Sequence, residues 1–305
     1  MNKIIIIADW LINYITKEPY MFSKQLQTHY DWTIIKLSML NVEQVKQRKS
    51  IVLCITYDSL DISVLKCENI TLVYKIDDLY PYKDIRKKCI DYANILISPY
   101  QYLFTEEKII QMYPSIKSKE SYHVPYSAVD SFYKNIEFNN TPTEKIFVSG
   151  AVSDVYPLRQ YILRYAEYIE TLEHPTYKHL KHKIIDEVYY KKISDYLCCF
   201  TDALVYKYVL LKVFEICSVG SLLLCDELIQ DELYRIGFEN NVNYISCNKE
   251  NLETKLKWIL DKKNRKIVDE IRLQGMILVR NNHNTNNRSE AFNSLVNNKY
   301  FTGNI

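Results

Sequence analysis

Short apolar runs, spaced by helical stretches, constrain this 305-residue chain more than any other feature in it. Residues 4–8, 32–37, 51–56, 70–76 and 95–98 are aliphatic or β-branched runs, while residues 19–29 and 83–92 carry helical patterns. That order predicts an α/β class with a doubly wound parallel sheet. A loop follows at Val124 and Pro125, and the run EFNNTPTE (137–144) is polar with Asn-Asn and Pro, the best boundary in the chain. The pattern then restarts with a strand at 145–149, a turn at Gly150 and a helix from about Leu158. Leu158, Tyr161, Ile162, Tyr165, Ile169 and Leu172 would line one face of that helix. A strand at 196–200, a helix at 228–236 stopped by Gly237 and a strand at 243–247 come next. A helix through Leu260, capped by Asn248, and polar-faced helices from 265 complete the chain. The expected organisation is one Rossmann-like domain over 1–142, a second over 143–285, and a C-terminal helix over 286–305.

Composition narrows the function classes. With 48% hydrophobic and 25% charged residues, the chain is of ordinary soluble globular make-up. A net charge of +2 does not favour a nucleic-acid partner, and five glycines cannot supply the glycine-rich phosphate loops of dinucleotide-binding or kinase-like proteins. The 27 tyrosines read as core and surface filling. The apolar N-terminal run is interrupted by Asp9, too early for a signal peptide or a span, so a cytoplasmic protein without a transmembrane segment is expected. The eight cysteines include no C-x-x-C pair and read as buried free thiols. His174, His179 and His182, in HPTYKHLKH, read as exposed loop histidines rather than metal ligands.

Residues 207–226, KYVLLKVFEICSVGSLLLCD, are the richest in chemistry. Val209, Val213, Ile216 and Cys217 repeat at helical spacing, Gly220 can end the helix, and 222–224 make a buried strand closed by Asp226, a strand-end acid or cap. Lys212 and Glu215 lie three residues apart on neighbouring turns. A lysine there can balance phosphate charge, and a carboxylate can accept hydrogen bonds from two ribose hydroxyls. An exposed ion pair on a core helix gives the same two residues without any ligand.

The run KVFEICSVGSLLLCDE resembles the donor-binding helix and strand of GT-B glycosyltransferases, of the group 1 type that includes bacterial spore-maturation glycosyltransferase-like proteins. Four further segments resemble that family in the same order: VPYSAVDSFY (124–133), IFVSGAVSDVYPLR (146–159), HPTY (174–177) and NNHNTNNR (281–288). The resemblance implies two Rossmann-like domains and a C-terminal helix returning to the first. It also implies transfer of a sugar from a nucleoside-diphosphate sugar to a glycan or other hydroxyl acceptor, with no cofactor and no bridging metal. Ser149 and Gly150 would let backbone N–H groups approach the diphosphate, and Arg159, which closes the same segment, would also bind the donor. Lys212 would stabilise the leaving diphosphate, and Glu215 would hold the ribose.

Eight positions before Glu215, where the retaining GT-B pattern has a Glu, this chain has Lys207. Either Lys207 is a second phosphate cation, or the sugar is held differently. Asp77 and Asp78 close the 70–76 strand, and either could take the acceptor proton of an inverting transfer or cap the next helix. Asp9 is a weaker candidate at the same strand ends. Three other classes compete: a catalytically degenerate GT-B scaffold subunit, a DNA-modifying glucosyltransferase, and a two-domain binding protein with no need of Lys212.

Overall fold

The computed structural model describes residues 1–80, 83–172 and 184–300. The HPTY segment and its three histidines lie outside them. The chain divides into two compact units, Met1–Pro125 with Thr285–Ile305, and Tyr126–Asn284.

The first unit runs β1 (Asn2–Ile7), α1 (Glu18–His29), β2 (Trp32–Lys36), α2 (Val42–Lys46), β3 (Ser50–Ile55) and β4 (Ile70–Lys75). It continues with α3 (Asp84–Tyr92), β5 (Ile95–Ser98), α4 (Glu107–Met112) and β6 (Glu120–His123). Its six strands pair in the order β2-β1-β3-β4-β5-β6, all parallel. The second unit holds α5 (Asp130–Tyr133), β7 (Thr143–Ser149), α6 (Pro157–Ile162), β8 (Ile169–Leu172), α7 (Asp186–Ser194) and β9 (Tyr196–Thr201). There follow α8 (Leu211–Ser218), β10 (Leu222–Asp226), α9 (Gln230–Arg235), β11 (Ile245–Cys247), α10 (Leu252–Leu260) and α11 (Arg265–Asn282). Its sheet of five parallel strands has the order β11-β10-β9-β7-β8. The last helix, α12 (Thr285–Tyr300), belongs to the first unit.

The central strands are apolar because helices cover both faces of a parallel sheet, so every side chain meets protein rather than water. All six residues of β3 and all five of β10 are buried. The edges differ. Strand β6 reads ESYH and β8 reads IETL, and neither contains a fully buried residue. An edge strand pairs on one side only and needs no continuous apolar run.

That difference corrects the long helical face expected from Leu158. Helix α6 stops at Ile162, and Tyr165 N and Tyr168 N close successive turns on Ile162 O and Tyr165 O at 3.0 and 2.9 Å. Ile169 and Leu172 then pair with Ile146 and Ser149 of β7. The edge of β7 takes these residues into a ladder, which pairs backbone groups of β7 on that side.

Residues 126–142 are held inside the second unit by arginines of α11. Arg280 donates to Ile136 O at 2.6 Å, and Arg272 to Asn139 O at 2.9 Å while lying 4.5 Å from the Phe138 ring centroid. The Phe138 ring also explains Gly220. With φ at +76°, Gly220 ends α8, and a Cβ there would stand 2.9 Å from that ring and 3.1 Å from Met276 Sδ.

In the first unit α12 lies against α1. Phe292 packs at 5.6 Å from the Phe22 ring and 5.7 Å from Trp32, and Asn293 Oδ1 accepts from Trp32 Nε1 and Lys3 Nζ. Phe292→Ala removes the aromatic side chain at the centre of this contact. The unfolding free energy is expected to fall by about 3–5 kcal/mol, read by denaturant melts. A loss below about 1 kcal/mol would show that α12 is not part of the first core.

Candidate functional site

Of the candidate residues of the second unit, Ser149 and Gly150 sit at the carboxyl end of β7, Arg159 on α6, and Lys212 and Glu215 in the first turns of α8. Strand β7 ends at Ser149, and Gly150 follows with φ at +115°, a backbone conformation L side chains rarely adopt. A Cβ at Gly150 would stand 2.9 Å from Arg159 Nη1 and 3.4 Å from Lys212 Cε. The missing side chain therefore lets the end of the strand lie directly against two cations.

Those cations are held differently. Arg159 is 1% exposed, with Nη2 donating to Asp202 Oδ1 at 2.9 Å and Nη1 to Ala151 O at 2.8 Å. Its backbone N donates to Asp202 Oδ2 at 3.1 Å, and its Nε is buried without a partner. Asp202 is fully buried just past β9; burial pushes its carboxyl up and the Arg159 guanidinium opposes that. Arg159, expected to bind the donor, is thus already bonded within the protein, and its charge bears on Lys212.

Lys212 is half-buried. Its ammonium donates to Ser149 Oγ at 3.0 Å and to Tyr189 Oη at 3.1 Å, and those two hydroxyls are 2.8 Å apart. Burial, then the Arg159 guanidinium, pushes the Lys212 ammonium down to about 8, against the pull of Glu215. An ammonium in the first turn of α8 also stands at the positive end of the helix dipole. Every one of these effects makes a nearby anion favourable.

Glu215 sits half-buried one turn along α8, and its charge bears on both Lys212 and Tyr189. Lys207 is exposed and stands outside α8, contrary to a helix running from 207. Leu204 and Lys207 both have positive φ, +57° and +56°, and Tyr208 N closes the turn on Ala203 O, so the helix begins only at Leu211. Asp226 accepts from Leu228 N at 3.0 Å, capping the turn after β10, and burial raises its carboxyl to about 6.

The first unit carries the other candidates. Asp77 and Asp78 are half-buried just after β4. Asp78 Oδ1 accepts from Tyr80 N at 3.0 Å, making a local turn rather than a cap on α3, and the charge of Asp77 helps raise the Tyr57 hydroxyl, which burial raises first. Arg86 donates to the Asp78 carbonyl and, at 2.5 and 2.9 Å, to both oxygens of Asp58. Asp9 accepts from Ser38 N and Oγ at 2.8 and 2.5 Å, and the Ser38 bonds hold its carboxyl below the usual range.

Sequence reasoning missed Tyr189 and Asp202. Asp202 had a signal: like Asp9, Asp77 and Asp226, it lies at or just past the end of an apolar strand. Tyr189 had none: it is one of 27 tyrosines, on a helix that the sequence patterns did not single out. Among the described residues no three His, Cys, Asp or Glu side chains gather to hold a metal ion, and no helix is long and apolar enough to cross a membrane.

No family model and no curated protein matches this sequence. Solved structures do. Anabaena HepE, in complex with UDP, aligns over 97% of this chain and 100% of its own at a TM-score of 0.62 and 10% identity. An alpha-glucosyltransferase solved with UDP and a 13-mer DNA containing an HMU base aligns over 97% and 98% at 0.63 and 9%. For TarM of S. aureus, solved with UDP, the TM-score is 0.55 at 14% identity over 84% of this chain; the chain spans 57% of TarM's length. These are GT-B glycosyltransferases, and the two parallel sheets of six and five strands with their surrounding helices are the same fold.

The pair beneath the site is open to test. Asp202→Ala leaves Arg159 buried without its carboxylate, and a loss of about 3–5 kcal/mol in unfolding free energy is expected. A loss below about 1 kcal/mol would mean that the guanidinium finds another answer.

Proposed function

We propose that this chain is a metal-independent glycosyltransferase that moves a sugar from a nucleoside-diphosphate sugar to a glycan or other hydroxyl acceptor. The observation that carries the reading is the Lys212 ammonium, held by Ser149 and Tyr189 at the end of β7 with one donor to spare. The leaving diphosphate gains negative charge as the glycosidic bond breaks. A cation fixed beforehand stabilises that charge without reorganising, and one lost donor typically costs about 3–4 kcal/mol of barrier.

In this reading the backbone after Ser149 approaches the phosphates, with Gly150 allowing the contact, and Arg159 adds its field from below. Glu215 takes the two ribose hydroxyls. Lys207, exposed before α8, is a second cation for the phosphate charge. Asp77 or Asp78 of the first unit takes the proton of the acceptor hydroxyl. UDP in the HepE, TarM and alpha-glucosyltransferase structures supports a uridine donor. All eight cysteines are free, seven of them buried, which supports a reducing, cytoplasmic setting.

A DNA acceptor is the second reading, favoured by the alpha-glucosyltransferase solved with DNA. The discriminating assay is release of nucleoside diphosphate from a panel of UDP- and GDP-sugars, with and without glycans and DNA containing the HMU base. EDTA should leave the rate unchanged. Activity lost to EDTA and restored by manganese would contradict the metal-free proposal.

Lys212→Ala is expected to lower turnover about 100-fold or more with the fold intact. Glu215→Gln should mainly weaken binding of the bare nucleoside diphosphate, read by calorimetry, since an amide accepts less well than a carboxylate. Unchanged turnover and affinity in both variants would put the donor elsewhere.

The pH dependence has a definite sign. Below about 8 the free Lys212 is charged and binds the diphosphate directly. Above that, binding must take up a proton, so affinity for UDP falls as pH rises from 7 to 9.5. A flat profile would contradict contact between Lys212 and the phosphates.

A further inference from the structure

We infer that Tyr189 is the positioning residue of this site: its hydroxyl and ring hold the Lys212 ammonium at the end of β7, in the state in which it can receive an anion. A lysine side chain is long and flexible, and one hydrogen bond to Ser149 would leave it many orientations. Tyr189 supplies two constraints from a different element, α7. Its hydroxyl oxygen accepts from Nζ at 3.1 Å, and its ring centroid lies 5.1 Å from the same nitrogen. The Tyr189 hydroxyl also bonds Ser149 Oγ at 2.8 Å, which closes a three-membered ring of polar groups. Two of the three ammonium donors are used within that ring, and the third is available to a ligand oxygen.

The groups facing Lys212 come from every element around it. Ser149 stands at the end of β7, Arg159 on α6, Tyr189 on α7, Cys199 on β9, Asp202 just past it, and Glu215 on α8 itself. Of these, Ser149 and Tyr189 are the groups that accept hydrogen bonds from the ammonium. Both favour the charged form, against burial and the Arg159 guanidinium, which favour the neutral one. Burial, then the charge of Glu215, holds the Tyr189 hydroxyl protonated well above the ordinary tyrosine range. The tyrosine therefore stays a neutral acceptor through the range in which Lys212 titrates.

A merely structural tyrosine and a positioning tyrosine differ in what happens to the lysine. The test is the protonation midpoint of Lys212, followed by NMR of the lysine ε-carbons in the full-length protein, the signal being identified by its absence in Lys212→Arg. Tyr189→Phe keeps the ring and removes the acceptor, and the midpoint is expected to fall by about one pH unit. Tyr190→Phe is the control: its hydroxyl accepts from Val129 N at 3.2 Å, and the midpoint should not move. Tyr189→Leu removes the ring as well and should lower the midpoint further, so that if one variant fails to fold the other carries the test. An unchanged midpoint in a folded variant at position 189 overturns the inference.

The donor arm rests on the glycosyltransferase reading. With UDP as the probe, the pH at which affinity begins to fall should drop in Tyr189→Phe by the same interval as the midpoint. If wild type binds no UDP at any pH while the Lys212 midpoint still shifts, the donor reading fails and the positioning role stands. If UDP binds and neither quantity shifts, the donor reading stands and the positioning role fails.

Discussion

A guanidinium buried to 1% exposure has to meet a carboxylate, and the contact between Arg159 and Asp202 organises everything above it. Asp202 is where it is because β9 pairs in parallel with β7, Val148 opposite Phe200, so the chain leaves both strands at one end. Arg159 comes back to that end on α6, and the bare Gly150 lets it lie against the strand terminus. With its charge answered on one side only, the guanidinium still bears on Lys212, where burial first and then this charge lower its affinity for a proton. The ion pair is therefore structural in its bonds and electrostatic in its effect on the site.

This arrangement also sets the surroundings of the lysine. A fully solvated ammonium binds phosphate weakly, because water screens it and its side chain moves. Here α8 begins late, at Leu211, after two residues with positive φ, so Lys212 falls in the first turn and reaches back to Ser149. A helix running from 207 would have given the same sequence spacing of Lys212 and Glu215 without that early start. The distinction matters because the first turn of a helix repels a cation and attracts an anion.

Most of the architecture could be read from residue patterns, and the misses share a cause. Central strands such as β3, β5 and β10 are continuous apolar runs, since both faces are covered, and they stand out in the chain. The edge strands β6 and β8 are half-buried and polar, so ESYH carries no apolar run and Ile169 and Leu172 fall by coincidence into a helical period. Lys212, Glu215, Ser149 and Gly150 were legible as types in a pattern: a cation and an acid on one helix, and a glycine after a strand. Arg159 was legible as a residue but its role was not, because whether a guanidinium faces a ligand or a buried carboxylate depends on Asp202, 43 positions on. Tyr189 was invisible for the same reason: its meaning comes from the hydroxyl it shares with a strand end and a helix start, and no local spacing encodes that.

At about 10% identity, agreement with solved glycosyltransferases speaks to the path of the backbone, and the chemistry has to be argued from the side chains. The most direct measurement is a crystal structure of the protein with UDP bound. The account predicts a phosphate oxygen within about 3 Å of Lys212 Nζ and of a backbone N–H following Ser149, with both ribose hydroxyls on the Glu215 carboxylate. A diphosphate seated away from the end of β7, with the Ser149–Tyr189–Lys212 ring left untouched, would contradict it.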